Sequence, residues 1–98
     1  MKEFNFEKLP IVEIANEIIM DAVNKGASDI HFDPSQDSLK IRFRIDGILS
    51  DYSIIPSKYK RNMISRIKMI AGMNTMETRL PQDGAIKRKI GERFLDLR

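Results

Sequence analysis

Apolar residues recur along this chain with two different periods, and the changes of period divide it into elements. After Pro10, residues Ile11, Ile14, Ala15, Ile18, Ile19 and Ala22 share one face of a 3.6-residue repeat. That is the pattern of a helix laid against a core. Proline suits the first helical position, where an N–H has no intrahelical partner, and Gly26 supplies a C-terminal cap. The spacing predicts a helix over 10–25. Ser28-Asp29-Ile30-His31-Phe32 then reads as a short strand closed by Asp33-Pro34. Beyond it the period drops to two: Leu39, Ile41, Phe43 and Ile45 alternate with Lys40, Arg42, Arg44 and Asp46. Such a strand has one apolar and one charged face. Asp46-Gly47 is a two-residue hairpin signal, because both residues tolerate positive φ. A returning strand is expected through Ile48, Tyr52 and Ile54.

Helical spacing resumes at Pro56 or Ser57. Met63, Ile67, Ile70 and Ala71, joined by Tyr59 and Ile64, form its apolar stripe, while Lys58, Arg61, Ser65 and Lys68 fall toward solvent. Gly72 ends it, and a connector from Met73 to Asp83 leads to a second hairpin. Its strands are predicted at Ala85 to Ile90 and Arg93 to Arg98, around a Gly91-Glu92 turn. The order α-β-β-β-α-β-β, with hairpin connections, points to an α+β fold of two layers. In it an antiparallel sheet of about five strands carries two helices on one face. Residues 1–9 have little periodicity and read as a flexible lead-in to a single domain over 10–98. The chain closes at Arg98 within a predicted strand, which points to truncation there.

Composition narrows the function classes. The 98 residues, 42% hydrophobic and 32% charged, suit one folded domain with a modest core. Without cysteine, and with His31 as the single histidine, the chain offers no disulfide, thiolate site or multi-histidine zinc site. No apolar run approaches the roughly 20 residues of a membrane span, and Met1 to Phe6 lack the apolar segment of a signal peptide. A cytoplasmic location is expected. The net charge of +3 comes from seventeen basic residues interspersed with fourteen acidic ones, too mild a balance to name a partner. Lys58, Arg61, Arg66 and Lys68 nevertheless raise the alternative of a small basic nucleic-acid-binding domain. Against it, the five phenylalanines fall mostly on apolar strand faces or in the lead-in, which leaves few bases' worth of stacking surface. The preferred reading therefore has no nucleic-acid partner.

No Gly-x-x-x-x-Gly-Lys-Ser/Thr loop occurs anywhere in the chain, so no backbone cradle for nucleotide phosphates is present. Gln82-Asp83-Gly84 contains a carboxylate with neither a second carboxylate at fixed spacing nor a nearby histidine. Asp83 is better suited to organising its turn. His31 reads as structural, and Asp29 as orienting the helix-to-strand corner. On residues alone, no catalytic or metal-ligating set is nominated.

Five runs in order carry a resemblance. They are Gly26-Ala27-Ser28-Asp29-Ile30-His31, Leu39 through Gly47, Ser65-Arg66-Ile67-Lys68, Arg79-Leu80-Pro81-Gln82-Asp83-Gly84, and Leu95-Asp96-Leu97-Arg98. Together they resemble the second N-terminal domain of the ATPases that drive type II secretion and type IV pilus assembly, over about residues 10–98. The resemblance implies a PAS-like fold placed before a RecA-like motor that binds ATP and Mg, with no cofactor in this domain itself. It also implies a homohexamer at the inner-membrane secretion or pilus platform. There the domain packs on the motor of its own or a neighbouring subunit and moves with the nucleotide cycle. By the same resemblance, Arg98 reaches toward the nucleotide's terminal phosphates in the intact hexamer. Arg42, Arg44 and Arg79 are candidates for interdomain contacts. One departure stands out: the family usually has arginine after Gln82-Asp83-Gly84, and here Ala85 follows, with Lys87 or Arg88 left to compensate. An open edge at a truncated C-terminal hairpin further predicts that the isolated chain dimerises.

Overall fold

The computed structural model describes residues 1–70 in full and, beyond them, the backbone of Ile86–Ile90 and Arg93–Leu97. The elements are α1 (Ile11–Asn24), β1 (Asp29–Pro34), β2 (Ser38–Ile45), β3 (Ile48–Pro56), α2 (Ser57–Ile70), β4 (Ile86–Ile90) and β5 (Arg93–Leu97). The α+β class and the element order agree with the hydrophobic pattern. The predicted connector, the Gln82-Asp83-Gly84 and Gly91-Glu92 turns, Ala71, Gly72 and Ala85 lie outside the described residues.

Helix α1 buries Ile14, Ala15, Ile18, Ile19 and Ala22, the stripe expected from its spacing. Pro10 sits one residue earlier than predicted. It is the N-cap, extended at φ −61° and ψ 150°, and its carbonyl accepts from Glu13 and Ile14. A proline cannot offer a capping side chain, so the carbonyl and the fixed φ do what it can at that position. At the other end Gly26 takes φ 74°. Its N–H donates to the Val23 carbonyl and the Ala27 N–H to the Ala22 carbonyl, the paired bonds of a Schellman cap. Ala27 follows the cap into the core, fully buried.

The first three strands form an antiparallel meander. Registers Ile30 to Phe43 and Phe32 to Ile41 join β1 to β2, and Leu39 to Ile55 and Arg44 to Leu49 join β2 to β3. The hairpin turn has positive φ at both central residues, Asp46 at 52° and Gly47 at 81°, as a type I′ turn requires. Leu39, Ile41 and Phe43 point to the buried face, where they meet α1 and also Met63 and Ile67 of α2 in one apolar cluster. Both helices thus share that face.

Two expectations need correction. First, the returning strand changes phase. Ile41 is opposite Ser53 while the next residue, Arg42, is opposite Asp51, so Tyr52 is the extra residue of a β-bulge. Tyr52 and Ser53 are consequently both buried; after them Ile55 is buried and Ile54, predicted on the apolar face, is exposed. Second, the sheet is not wholly antiparallel. The strand order is β3-β2-β1-β5-β4, and β5 runs parallel to β1 with Asp29 beside Asp96 and Ile30 beside Leu97. These strands are separated in sequence by α2, and a crossover of that length is what allows neighbours to run the same way.

Candidate functional site

The face of the sheet away from the helices holds the alternating charges of β1 and β2, Arg42 and Arg44 among them. Register places Asp29 opposite Arg44, His31 opposite Arg42 and Asp33 opposite Lys40 on that face, with Asp51 of β3 opposite Arg42. The charges pair across strands. Arg42 donates from Nε at 3.0 Å and Nη2 at 2.6 Å to Oδ2 of Asp33. Lys40 Nζ lies 3.3 Å from Asp51. Arg44 Nε lies 3.3 Å from Asp29 Oδ2, and its Nη1 donates to the Gly47 carbonyl at 3.2 Å. The result is a ladder of three ion pairs across β1, β2 and β3.

The rungs are unequal. Lys40, Asp51 and Asp33 are substantially exposed, where an ion pair contributes little because water screens it. The Asp29 side chain is only 8% exposed. A buried carboxylate requires partners, and Asp29 has Arg44 as well as the Ser28 hydroxyl, which donates at 2.9 Å. Ser28 also donates its N–H to the Arg44 carbonyl at 2.9 Å. Asp29 therefore orients the helix-to-strand corner, as its place in the sequence indicates. Arg44 ties that corner to the hairpin turn. Among the described residues this is the best-organised polar site.

The structure thus brings Arg42 and Arg44 together, each engaged within the domain. Arg79 and Arg98 lie outside the described residues. So do Asp83 and Ala85, while of Lys87, Arg88 and Asp96 the backbone alone is described. His31 is half-buried in β1 between Asp29 and Asp33 on the ladder face. Among the described residues no three His, Asp or Glu gather as a metal would require. No described helix is long and apolar enough to cross a membrane.

A second polar centre was not nominated by the sequence. The Tyr52 hydroxyl donates to Oδ2 of Asp21 on α1. Burial pushes the phenol pKa well up, and the Asp21 and Glu17 carboxylates push it further. The bulge puts Tyr52 there, stacked on Phe43 with ring centroids 4.1 Å apart. The ladder had a sequence signal: acids at alternate positions of β1 face bases at alternate positions of β2. Tyr52 had none, because a bulge leaves no periodic trace.

On α2, Lys58 and Arg61 are exposed, and Lys60 donates to the Ser35 carbonyl at 2.6 Å. Lys58 also stands 5.6 Å over the Tyr59 ring. The helix contains five basic residues and no acidic one, whereas α1 contains Glu13, Glu17 and Asp21 and no basic one.

The family model "Type II/IV secretion system protein" matches residues 5–98. The chain is 45% identical over 82 residues to a type IV pilus assembly ATPase PilB of Myxococcus xanthus, covering 84% of this chain and 14% of that protein. It is 44% identical over 89 residues to type II secretion system protein E of Xanthomonas campestris, covering 91% and 16%. It is 39% identical over 89 residues to type II secretion system ATPase E of Vibrio cholerae, covering 91% and 18%. The chain thus spans less than a fifth of the length of these relatives. On these grounds the chain belongs to the type II/IV secretion system protein family.

Proposed function

We propose that this chain is a non-catalytic N-terminal domain of a hexameric type II secretion or type IV pilus assembly ATPase. In this reading it couples ATP binding and hydrolysis in an adjacent RecA-like motor to domain movement. The observation that carries the reading is the family match across 5–98 combined with a sequence that contains no Walker loop. Relatives named as ATPases are several times longer, so ATP, Mg and the hydrolytic machinery belong to the remainder of such a protein. The two-helix, one-faced sheet supports a PAS-like assignment.

The ladder supports a conformational role in a particular way. Arg42 and Arg44 are held by Asp33 and Asp29, so they present a rigid, charge-balanced face. Contact with a motor domain then comes through a preformed surface. Arg98 is the nucleotide-sensing residue of the proposal, since a guanidinium stays charged and offers a planar fork to phosphate oxygens. Arg79 remains an interdomain candidate. The assembly works at the cytoplasmic side of the membrane, against the secretion or pilus platform.

Arg98→Ala in the intact parent hexamer tests the proposal. A fall in ATP turnover and in pilus or secretion output is expected, with the hexamer still folded and assembled. Unchanged turnover and output in a normally assembled ring overturns the sensing role. For the nucleic-acid alternative, the α2 cations are the supporting feature. However, Phe43 stacks on Tyr52 and Phe6 on Tyr59, which leaves these rings engaged within the domain.

A further inference from the structure

Residues 1–9 form no helix or strand, yet they touch three elements of the domain. Lys2 lies along β3, which is an edge of the sheet. Its N–H donates to the Tyr52 carbonyl at 2.7 Å, and its carbonyl accepts from the Ser53 hydroxyl at 2.7 Å. Both contacts fall on the bulge. The Lys2 ammonium stands 3.7 Å from Glu17 and 3.5 Å from Asp21, against α1. Phe4 packs on Tyr52 with ring centroids 6.2 Å apart. Phe6 stacks on Tyr59 of α2 at 4.6 Å and 12°. The Asn5 side-chain oxygen then accepts from the N–H groups of Glu7 and Lys8, which turns the chain toward α1.

We infer that residues 2–6 are a detachable strap that seals the β3 edge in cis, recognised as an extended Lys-x-Phe-x-Phe segment. Each element of that pattern has its own receptor: the α1 carboxylate pair for Lys2, Tyr52 at the bulge for Phe4, and Tyr59 for Phe6. The strap is separable because none of residues 1–9 is a member of the buried core; Phe4 and Phe6 pack against it from outside. Phe4 and Phe6 are half-buried, and the Lys2 ion pairs are exposed enough for screening to keep them weak. A bulge and a strap are both means by which an edge strand avoids pairing with another chain. When the strap leaves, the bare edge and its receptors accept residues 2–6 of a second copy, by segment exchange. The consequence for a motor rests on the proposed function: tension on the strap acts first on the bulge, beside Tyr52 and α1.

The test uses the whole chain alone, without nucleotide or motor, so it stands or falls separately from the ATPase reading. Tyr52 and Tyr59 are the only tyrosines and there is no tryptophan, so intrinsic emission reports on the two aromatic receptors directly. In Phe4→Ala/Phe6→Ala, acrylamide quenching of tyrosine emission and amide hydrogen exchange around Tyr52 to Ile55 should both rise several-fold. Exchange in α1 and β1 should stay as in the parent chain. A synthetic peptide of residues 1–8, added in excess, should reverse both changes. Lys2→Glu should loosen the same region, relieved by salt, and Lys2→Arg should not. Protection lost evenly through the whole domain would mean the segment is part of the cooperative core and would overturn the inference. Unchanged quenching and exchange at β3, or no reversal by the peptide, would overturn it as well.

Discussion

Strands β2 and β3 are the two arms of one hairpin, of eight and nine residues, and they obey different rules. In β2 every apolar residue from Leu39 to Phe43 is buried and every cation between them points to the ion-pair ladder. In β3 the alternation breaks at Tyr52, where two successive residues, Tyr52 and Ser53, are both buried. The first strand lies between two partners, and its register is set on both sides. The second has one partner and an edge, so an inserted residue disturbs one ladder only. The difference teaches where a fold can place a polar device: at the bulge, Tyr52 meets Asp21 and Ser53 meets Lys2.

The sharpest way to break this comparison is to exchange the two neighbouring isoleucines after the bulge. Ile55→Ala removes a fully buried side chain and should cost about 3 kcal/mol in chemical denaturation. Ile54→Ala, at an exposed position, should change stability by less than about 0.5 kcal/mol. The opposite ranking would mean that β3 keeps the regular phase and contains no bulge at Tyr52.

Next in size is the phenol itself. Tyr52→Phe removes a hydrogen bond to a carboxylate and should cost about 2 kcal/mol at neutral pH. Its pH dependence follows from the raised pKa. The folded chain holds the phenolic proton more tightly than the unfolded chain does, whose tyrosines ionise near pH 10. The contribution is therefore complete below about pH 10 and is lost as the pH rises above that value. The useful quantity is the difference between parent and variant, in which everything the two share cancels. The parent's stability should fall more steeply above pH 10 than that of Tyr52→Phe. Parallel curves would remove the phenol from the account.

The smallest effect lies at the turn that joins the two strands. A Cβ at Gly47 meets nothing within 4 Å, so Gly47→Ala introduces no clash and carries only the conformational cost of φ 81°. About 1 kcal/mol is expected, read from the thermal midpoint with the strand registers unchanged. A neutral result would mean that the turn relaxes away from type I′.

Much of the site was legible before any coordinates. Asp29 and Asp33 alternate on β1 as Lys40, Arg42 and Arg44 do on β2, and side chains two apart in a strand share a face. Once the hairpins are assigned, acids and bases are bound to meet. Which acid takes which base was not legible. Arg42 reaches diagonally past His31 to Asp33, since a long side chain chooses among neighbours by reach and competition rather than by register alone. The strap was illegible for another reason. Residues 1–9 have no period, and their docking depends on a groove assembled from α1, β3 and α2, of which α1 alone follows them directly in sequence.

Local patterns by themselves determined the helix stripes, the Gly26 cap, the Asp46-Gly47 turn and the charged face of β2. Each depends on residues within one or two turns of each other, where backbone geometry leaves few choices. Tertiary structure alone decided the bulge at Tyr52, the parallel seam between β1 and β5, and the seat of Lys2, Phe4 and Phe6. These require surfaces from distant parts of the chain to compete for the same edge, and that competition is resolved by packing, which no local period records.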